Sequence, residues 1–440
     1  MTGTRRSCAA LAAAALLASA CGCSYLKWKR EKKELRRELK RDPTNLLLKR
    51  EYALHDCFGV MGRIAVPADA PGPLLVAAFN HDSPAHERVG SRAAIAETGY
   101  FILLPGGSYD LALFADLNRD GFYDTDEVVG RTPPDSPVRV GAAESRDGLF
   151  VQAPTVAIDL RKPSAYEVAI HVKVVPRPFV VESVDDPLFD PELGQMGVYE
   201  PSKFLARTQG WIFSIGAPDT SKVQVILVHG IDGTPRDFRT LVPSLDPSRY
   251  QIWLFYYPSG LGLDQLGIIL ARAVDRIASE RGSPERVALV AHSMGGLVGR
   301  RAVNELCRTG KPAYLRVYAS IDTPYGGVES VSGAVKRGTA LVPSWIDVAS
   351  GSPFLTRLHQ TPLPKDLPFH LFFGWGQQGK HGPSPAGDGT ITLPSQLDQR
   401  AQAVATGMSG FGDTHVGILS DPDALEALAK VLDAATTRKP

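Results

Sequence analysis

The chain has 440 residues, 44% of them hydrophobic and 22% charged, with a formal net charge of +1. That composition excludes a disordered chain, and the charge balance excludes a basic protein drawn to nucleic acid. The five cysteines form no CxxC pair, so a cysteine-built zinc site is not expected, and the length suits two domains.

Residues 1–20 read as a signal peptide. Arg5 and Arg6 precede a small-residue apolar run, Ser7 to Ala20, with Leu11, Leu16 and Leu17. The run is too short to span a bilayer. It ends Leu17-Ala18-Ser19-Ala20-Cys21-Gly22, which resembles the lipobox of bacterial lipoproteins, with Ala18 where leucine is usual. That resemblance implies cleavage, a lipidated Cys21 and attachment to a membrane of the cell envelope. Cys23 is an alternative acceptor, and an ordinary cleaved signal is the alternative to lipidation. Either reading implies export. No other segment is apolar over about 18 residues, so no transmembrane helix is expected.

Residues 21–58 read as a lipidated N-terminus and charged helical linker. Leu26 to Arg41 is dense in Lys, Arg and Glu and stops at Asp42-Pro43. It suits either a basic stalk on anionic headgroups or a solvated spacer. Residues 59–176 read as a small β-sandwich: Leu74 to Phe79, Tyr100 to Leu104, Tyr109 to Phe114 and Val168 to Val175 are short apolar runs between turns.

Within that segment, Asp116 to Glu127 fits the spacing D-x-[DN]-x-[DN]-G-x5-E. Asp116, Asn118, Asp120, Phe122 (through its carbonyl), Asp124 and Glu127 are candidate ligands of a structural Ca²⁺. The preceding run reads as a strand, so this is not a helix-loop-helix hand. A metal-free polar hairpin tip is the alternative. Residues 177–222 are Pro- and Asp-rich at first and read as a connector, with room for one strand of the next domain.

Residues 223–440 alternate strands and helices, the pattern of a mostly parallel sheet flanked by helices. Val223 to Val228, Ile252 to Tyr256, Val287 to Ala291, Leu315 to Ile321 and Phe369 to Phe373 are the expected strands. Helices are expected over Asp237 to Leu245, Leu263 to Arg281, Gly295 to Leu306 and Pro422 to Leu432. In the second, Leu266, Ile269, Leu270, Ala273 and Ile277 recur on one face.

Three elements carry the chemistry. Ala291-His292-Ser293-Met294-Gly295-Gly296 joins a buried strand to a helix, with small residues two before and two after the serine. So tight a strand-to-helix turn exposes the serine at a helix N-terminus, where negative charge is favoured. His229-Gly230-Ile231-Asp232-Gly233 follows the first buried strand. Gly387-Asp388-Gly389 follows the fifth, and Asp413-Thr414-His415 precedes the last helix. A serine hydroxyl needs a base, and a histidine base needs an acid to orient it.

These motifs, in the order Ser…Asp…His, resemble the α/β-hydrolase superfamily near the bacterial lipases and esterases, over about half the chain. Ala291 departs from the usual first glycine. The resemblance implies Ser293 as nucleophile, His415 as base and Asp388 as acid, with the backbone N–H groups of Ile231 and Met294 forming an oxyanion hole. Asp322, after the fourth strand, and Asp413 are rival acids. His229 is expected to brace its loop. Residues 328–367, with Val342, Trp345, Ile346, Val348, Phe354 and Leu355, lie where such folds carry a lid.

The expectation is an α/β-hydrolase fold preceded by a β-sandwich. Its activity would be hydrolysis of a carboxylic ester, small-molecule or lipid, without a catalytic cofactor. An acyltransferase or thioesterase would use the same triad, and a non-catalytic surface binding protein is the competing class. Whether Cys57 and Cys307 pair is open at this level.

Overall fold

A computed structural model describes residues 22–65, 74–94, 99–118, 120, 122–145, 149–157, 179–208, 211–280, 287–336, 342–376 and 387–437. The signal peptide, Cys21, Arg119, Gly121 and the expected strand Val168–Val175 lie outside the described residues. The chain forms two compact units. One is Trp28–Arg177; the other joins Met1–Lys27 to Pro178–Pro440.

The helix Gly22–Arg41 stops at the expected Asp42-Pro43. In the first unit, Asn45 caps the helix Leu46–Tyr52, its side chain accepting from the Leu48 N–H at 3.0 Å. The strands follow as β1 (Phe58–Gly62), β2 (Ile64–Ala65), β3 (Leu74–Asn80), β4 (Arg88–Ala94) and β5 (Tyr100–Leu104). Then come β6 (Gly107–Ala115), β7 (Val128–Arg131), β8 (Val138–Val140), β9 (Phe150–Gln152) and β10 (Val156–Ala157).

One sheet has the order β5-β1-β9, the other β4-β3-β6-β7 with β8 also on β6, while β2 pairs with β10. Val60, Ile102, Leu104 and Val151 of the first sheet share a core with Val76, Ala78, Leu111 and Leu113 of the second. This is the expected sandwich. On the far face of the larger sheet Leu75, Ala77, Phe79, Ala112 and Phe114 cluster with Tyr123 and Val128. With both faces covered, β3 reads as an unbroken apolar run instead of an alternating one.

The second unit begins earlier than the sequence suggests. Residues 177–222 are not a plain connector: they hold β11 (Val180–Val181), the helices Pro191–Tyr199 and Pro201–Thr208, and β12 (Ile212–Ile215). β12 is antiparallel to β14 (Tyr250–Phe255) at the edge of the main sheet. Four residues are too few to carry a periodic signal, so only the pairing reveals the strand.

The main sheet has the order β11-β12-β14-β13-β15-β16-β17-β18, with β13 (Val223–Val228), β15 (Val287–His292), β16 (Leu315–Ile321), β17 (Phe369–Gly374) and β18 (Gly407–Phe411). From β14 to β18 every neighbouring pair is parallel. This is the α/β-hydrolase architecture. The helix Leu263–Glu280 buries the expected stripe of Leu266, Ile269, Leu270, Ala273 and Ile277. The helix expected over Asp237 to Leu245 is instead a 3-10 turn, Pro235–Phe238, and one α-turn, Leu241–Ser244. Pro243 supplies no N–H to a longer helix.

Register places the site. Val228 of β13 sits opposite Ala291 of β15, and His292 opposite Ile321 of β16. Ile321 in turn sits opposite Phe372 of β17. The loops beginning at His229, Ser293, Asp322 and Trp375 therefore leave the sheet side by side at the carboxyl ends of its strands, where open parallel sheets bind ligands.

The segment 328–367 packs as the helices Glu329–Lys336, Pro343–Val348 and Pro353–Gln360. Val342, Trp345, Val348, Phe354 and Leu355 are buried, and Ile346 is exposed. No disulfide joins Cys57 to Cys307. Among the described residues, no helix is long and apolar enough to cross a membrane.

Candidate active site

Ser293 stands between β15 and the helix Met294–Arg308 with φ +55° and ψ −130°. A non-glycine residue rarely adopts positive φ, and holding one there costs on the order of 1–3 kcal/mol. The surroundings enforce it. The Ser293 N–H donates to the Ile321 carbonyl at 2.8 Å. Gly295 lets the helix press on β13, since a Cβ there would meet the carbonyl oxygens of His229 and, at 2.6 Å, Val228. A Cβ on Gly296 would collide with the Thr323 side chain. The small residues of the motif are thus demanded by close approach on two sides.

The Nε2 of His415 lies 2.8 Å from the Ser293 Oγ, and its Nδ1 lies 2.6 Å from Asp388 Oδ2. The His415 N–H also donates to the Asp388 carbonyl at 3.0 Å, tying the two loops together. Asp388 Oδ1 accepts the N–H groups of Thr390 at 2.7 Å and Ile391 at 2.6 Å. Burial alone would raise the Asp388 pKa. The His415 hydrogen bond and charge, with the Ile391 and Thr390 amides, outweigh it and hold the group below the usual carboxylate range. The expected three side chains are therefore together in hydrogen-bonded order.

The rival acids are placed differently. Asp322 is fully buried, with Oδ2 3.8 Å from His415 Nδ1, beyond hydrogen-bond reach. Asp413 turns its Oδ1 to the neighbouring Thr414 N–H at 2.5 Å and shapes the turn before His415.

The loop after β13 lies against the nucleophile. A Cβ on Gly230 would come within 2.9 Å of Ser293 Cβ and 3.4 Å of its Oγ. Ile231 follows directly. Met294 opens its helix, so its N–H has no carbonyl four residues back to accept it. His229 braces this loop as expected. Its Nδ1–H donates to the Gly230 carbonyl at 2.8 Å, its ring stacks on Tyr257 at 4.3 Å, and the Tyr257 hydroxyl donates to its carbonyl at 2.7 Å. Burial pushes its pKa down to about 4, so it is neutral.

One residue in contact with this cluster was not singled out by the sequence. His292, the variable position of the serine motif, is buried and donates Nε2–H to the His415 carbonyl at 2.7 Å. Burial above all, then the His415 charge, lowers its pKa to about 3. Nothing in the sequence separates this histidine from one that merely fills space; only its packing against the base loop reveals the role.

His292, Asp322 and His415 are the one group of three His, Cys, Asp or Glu side chains among the described residues whose ligand atoms converge within 4.8 Å. Both His415 nitrogens are already engaged by Ser293 and Asp388. In the acidic turn of the first unit, Glu127 takes the Leu117 N–H at 2.8 Å and the Asp124 N–H at 2.9 Å. Asp116 accepts the Asp120 N–H at 3.1 Å, and Asp120 the Phe122 N–H at 2.7 Å. Asn118 Oδ1 takes the Asp120 N–H at 2.9 Å. These side chains accept from backbone amides of the same turn.

Residues 219–358 match the sequence family described as "Putative serine esterase (DUF676)". No curated protein matches the chain significantly by sequence. Among solved structures, the mature form of a Bacillus licheniformis lipase aligns at 17% identity and a TM-score of 0.41, over 50% of this chain and 98% of that one. Aspergillus fumigatus lipase B aligns at 16% identity and a TM-score of 0.38, over 51% of this chain and 56% of that one.

Proposed function

We propose that the protein is an exported serine hydrolase that cleaves carboxylic esters through an acyl-enzyme on Ser293. The observation that carries this reading is the continuous relay Ser293 Oγ to His415 Nε2, and His415 Nδ1 to Asp388, on a serine held at positive φ. The family match over residues 219–358 supports an ester as the substrate class.

In the proposed reaction Ser293 Oγ attacks the ester carbonyl carbon as His415 Nε2 takes its proton. The carbonyl oxygen becomes an oxyanion facing the N–H groups of Ile231 and Met294. Collapse breaks the bond to the alcohol, which leaves with the proton from Nε2. Water then attacks the acyl-enzyme, gives a proton to Nε2, and the acid leaves as Ser293 recovers that proton. Asp388 fixes the imidazole tautomer and offsets its transient charge. Trp375 and Val416 are exposed beside the catalytic loops, at 49% and 61%, which favours an apolar acyl chain over a polar one.

The lipobox-like sequence supports anchoring through Cys21, and the acidic turn's spacing supports a structural Ca²⁺ held by Asp116, Asn118, Asp120, Phe122, Asp124 and Glu127. The segment 328–367, lying between β16 and β17, is proposed to serve as a lid.

The test is labelling with a fluorophosphonate probe, run beside hydrolysis of short- and long-chain acyl esters. Wild type should label, and Ser293→Ala and His415→Ala should not. A folded wild type that neither labels nor hydrolyses any ester, with detergent present, would sink the enzyme reading. Incorporation of labelled fatty acid that is lost in Cys21→Ser would support the anchor; its absence in wild type would remove it.

A further inference from the structure

Two carboxyl groups meet behind His415. Asp322 follows β16 and Asp388 lies in the loop after β17, the neighbouring parallel strand. Gly374 separates them by the least possible bulk: a Cβ there would come within 2.8 Å of Asp388 Cβ and 3.2 Å of Asp322 Oδ2. The two acids are unequally supplied with donors. Asp388 has four: the Thr390 and Ile391 amides, Gln396 Nε2 at 3.2 Å and His415 Nδ1. Asp322 Oδ1 accepts the Gly374 N–H at 2.6 Å, and its buried Oδ2 has no partner among the described residues.

The titratable groups facing Asp322 are Asp388, His415 and Asp413 from the loops after β17 and β18, and His292 at the end of β15. Among the described residues no lysine or arginine pairs with it. Two buried carboxylates side by side cannot both ionise. The charge settles where the donors are, on Asp388. The proton settles on Asp322, whose unpartnered Oδ2 then becomes a donor instead of an unmatched acceptor.

We propose that Asp322 is a neutral carboxylic acid in the working enzyme, donating Oδ2–H to Asp388 and so positioning the carboxylate that orients His415. The pair then carries a single negative charge. Burial first, and the Asp388 charge second, push the Asp322 pKa well above the carboxylate range, in keeping with this arrangement. Asp322 acts through Asp388. The inference rests on reading Ser293, His415 and Asp388 as the triad, but its first test needs no turnover.

That test is infrared spectroscopy of the wild-type protein in D₂O at pH 8. Burial pushes Asp237 and Asp347 up to about 6, so both are ionised there. A carboxylic-acid C=O band should persist at pH 8 and vanish in Asp322→Asn. Its absence in folded wild type would overturn the proposal, whatever the enzyme's activity.

The pH profile gives a second reading. In Asp322→Asn the acid limb of kcat/KM should stay within about 0.3 unit of wild type. Were Asp322 ionised, removing a full charge 3.8 Å from the imidazole would move that limb down by about 0.8 unit even at the screening of bulk water, and such a move would overturn the proposal. Finally, Asp322→Asn keeps both a donor toward Asp388 and an acceptor for Gly374, whereas Asp322→Ala keeps neither. The asparagine variant should therefore retain about tenfold more kcat than the alanine variant; equal losses would remove the positioning role. If the alanine variant does not fold, the band and the acid limb still decide.

Discussion

The Nε2–H of His292 is donated to the backbone carbonyl of His415 at 2.7 Å, so the residue before the nucleophile holds the loop that carries the base. The two rings lie 4.8 Å apart, centroid to centroid. Because β15 fixes His292 and the strained turn fixes Ser293, this one hydrogen bond ties the position of the base to that of the serine.

His292→Ala should therefore lower kcat more than it changes KM. It strands the His415 carbonyl, a loss of about 1–3 kcal/mol, and lets the base shift from its partner. We expect a fall of about tenfold to a hundredfold in kcat, with partial recovery in His292→Gln, which keeps a donor. Steady-state kinetics of the two variants on one ester checks this. Equal activity of the alanine variant and wild type would show that the loop holds itself.

Glycine substitutions around the elbow should separate folding from chemistry. Gly295→Ala drives a methyl into the carbonyls of Val228 and His229, which belong to a central strand end and cannot yield. It should destabilise by about 3 kcal/mol or more, seen as lost soluble expression or a large fall in Tm. Gly230→Ala meets Ser293 Cβ at 2.9 Å. Here the protein should still fold, while the nucleophile is displaced by tenths of an ångström and kcat falls at least about tenfold.

Among the candidate acids, Asp388 should matter most to activity, since it is hydrogen-bonded to His415 Nδ1. Asp388→Asn leaves an amide that can present N–H to the imidazole and trap the wrong tautomer, so kcat should drop by about 10³–10⁴. Asp413→Asn keeps an oxygen for the Thr414 N–H and should cost less than about threefold, because that carboxylate shapes a turn. A larger loss in Asp413→Asn than in Asp388→Asn would reverse the assignment.

Stability should carry a signature of Asp347, on the helix Pro343–Val348. Its Oδ2 accepts the Leu263 N–H at 2.8 Å, yet burial, helped by Asp264, pushes its pKa up to about 6 from 3.8. A carboxyl whose pKa is raised by folding favours the native state most while protonated, so that contribution is lost as pH rises from about 4 through 6. Asp347→Asn should be more stable than wild type at pH 7, by about 3 kcal/mol at most, with the difference closing by pH 4. Urea unfolding of both proteins at the two pH values measures it. A pH-independent difference would mean that Asp347 is not titrating.

For the acidic turn, the proposed Ca²⁺ should raise Tm by a few degrees at about 1 mM, as expected for a weak site of an exported module. Mg²⁺ should not substitute, and Asp116→Asn combined with Glu127→Gln should abolish the response. A Tm that does not move with Ca²⁺ in thermal melts would leave the turn as a hairpin tip closed by its own amides.

Sequence alone determined the parts that rest on local rules. The buried strands Val223–Val228, Val287–His292 and Leu315–Ile321 are largely apolar because parallel strands are covered on both faces, and such segments are legible. The Ser293 turn is legible too, since its geometry tolerates only small neighbours. The strands Ile212–Ile215 and Gly407–Phe411 were not: one is too short, and the other, Gly-Met-Ser-Gly-Phe, has no apolar pattern. Each is a strand because a neighbour supplies its hydrogen bonds.

The choice among Asp322, Asp388 and Asp413 likewise belongs to tertiary structure. All three sit in loops at the carboxyl edge of the sheet, and spacing along the chain says nothing about a 2.6 Å contact against one of 3.8 Å. The hydrogen bond from His292 to His415 joins residues 123 positions apart. Periodicity and turn chemistry report what a residue does to its own backbone. Which side chains share a proton is set by how separate loops converge, and only the folded sheet brings them together.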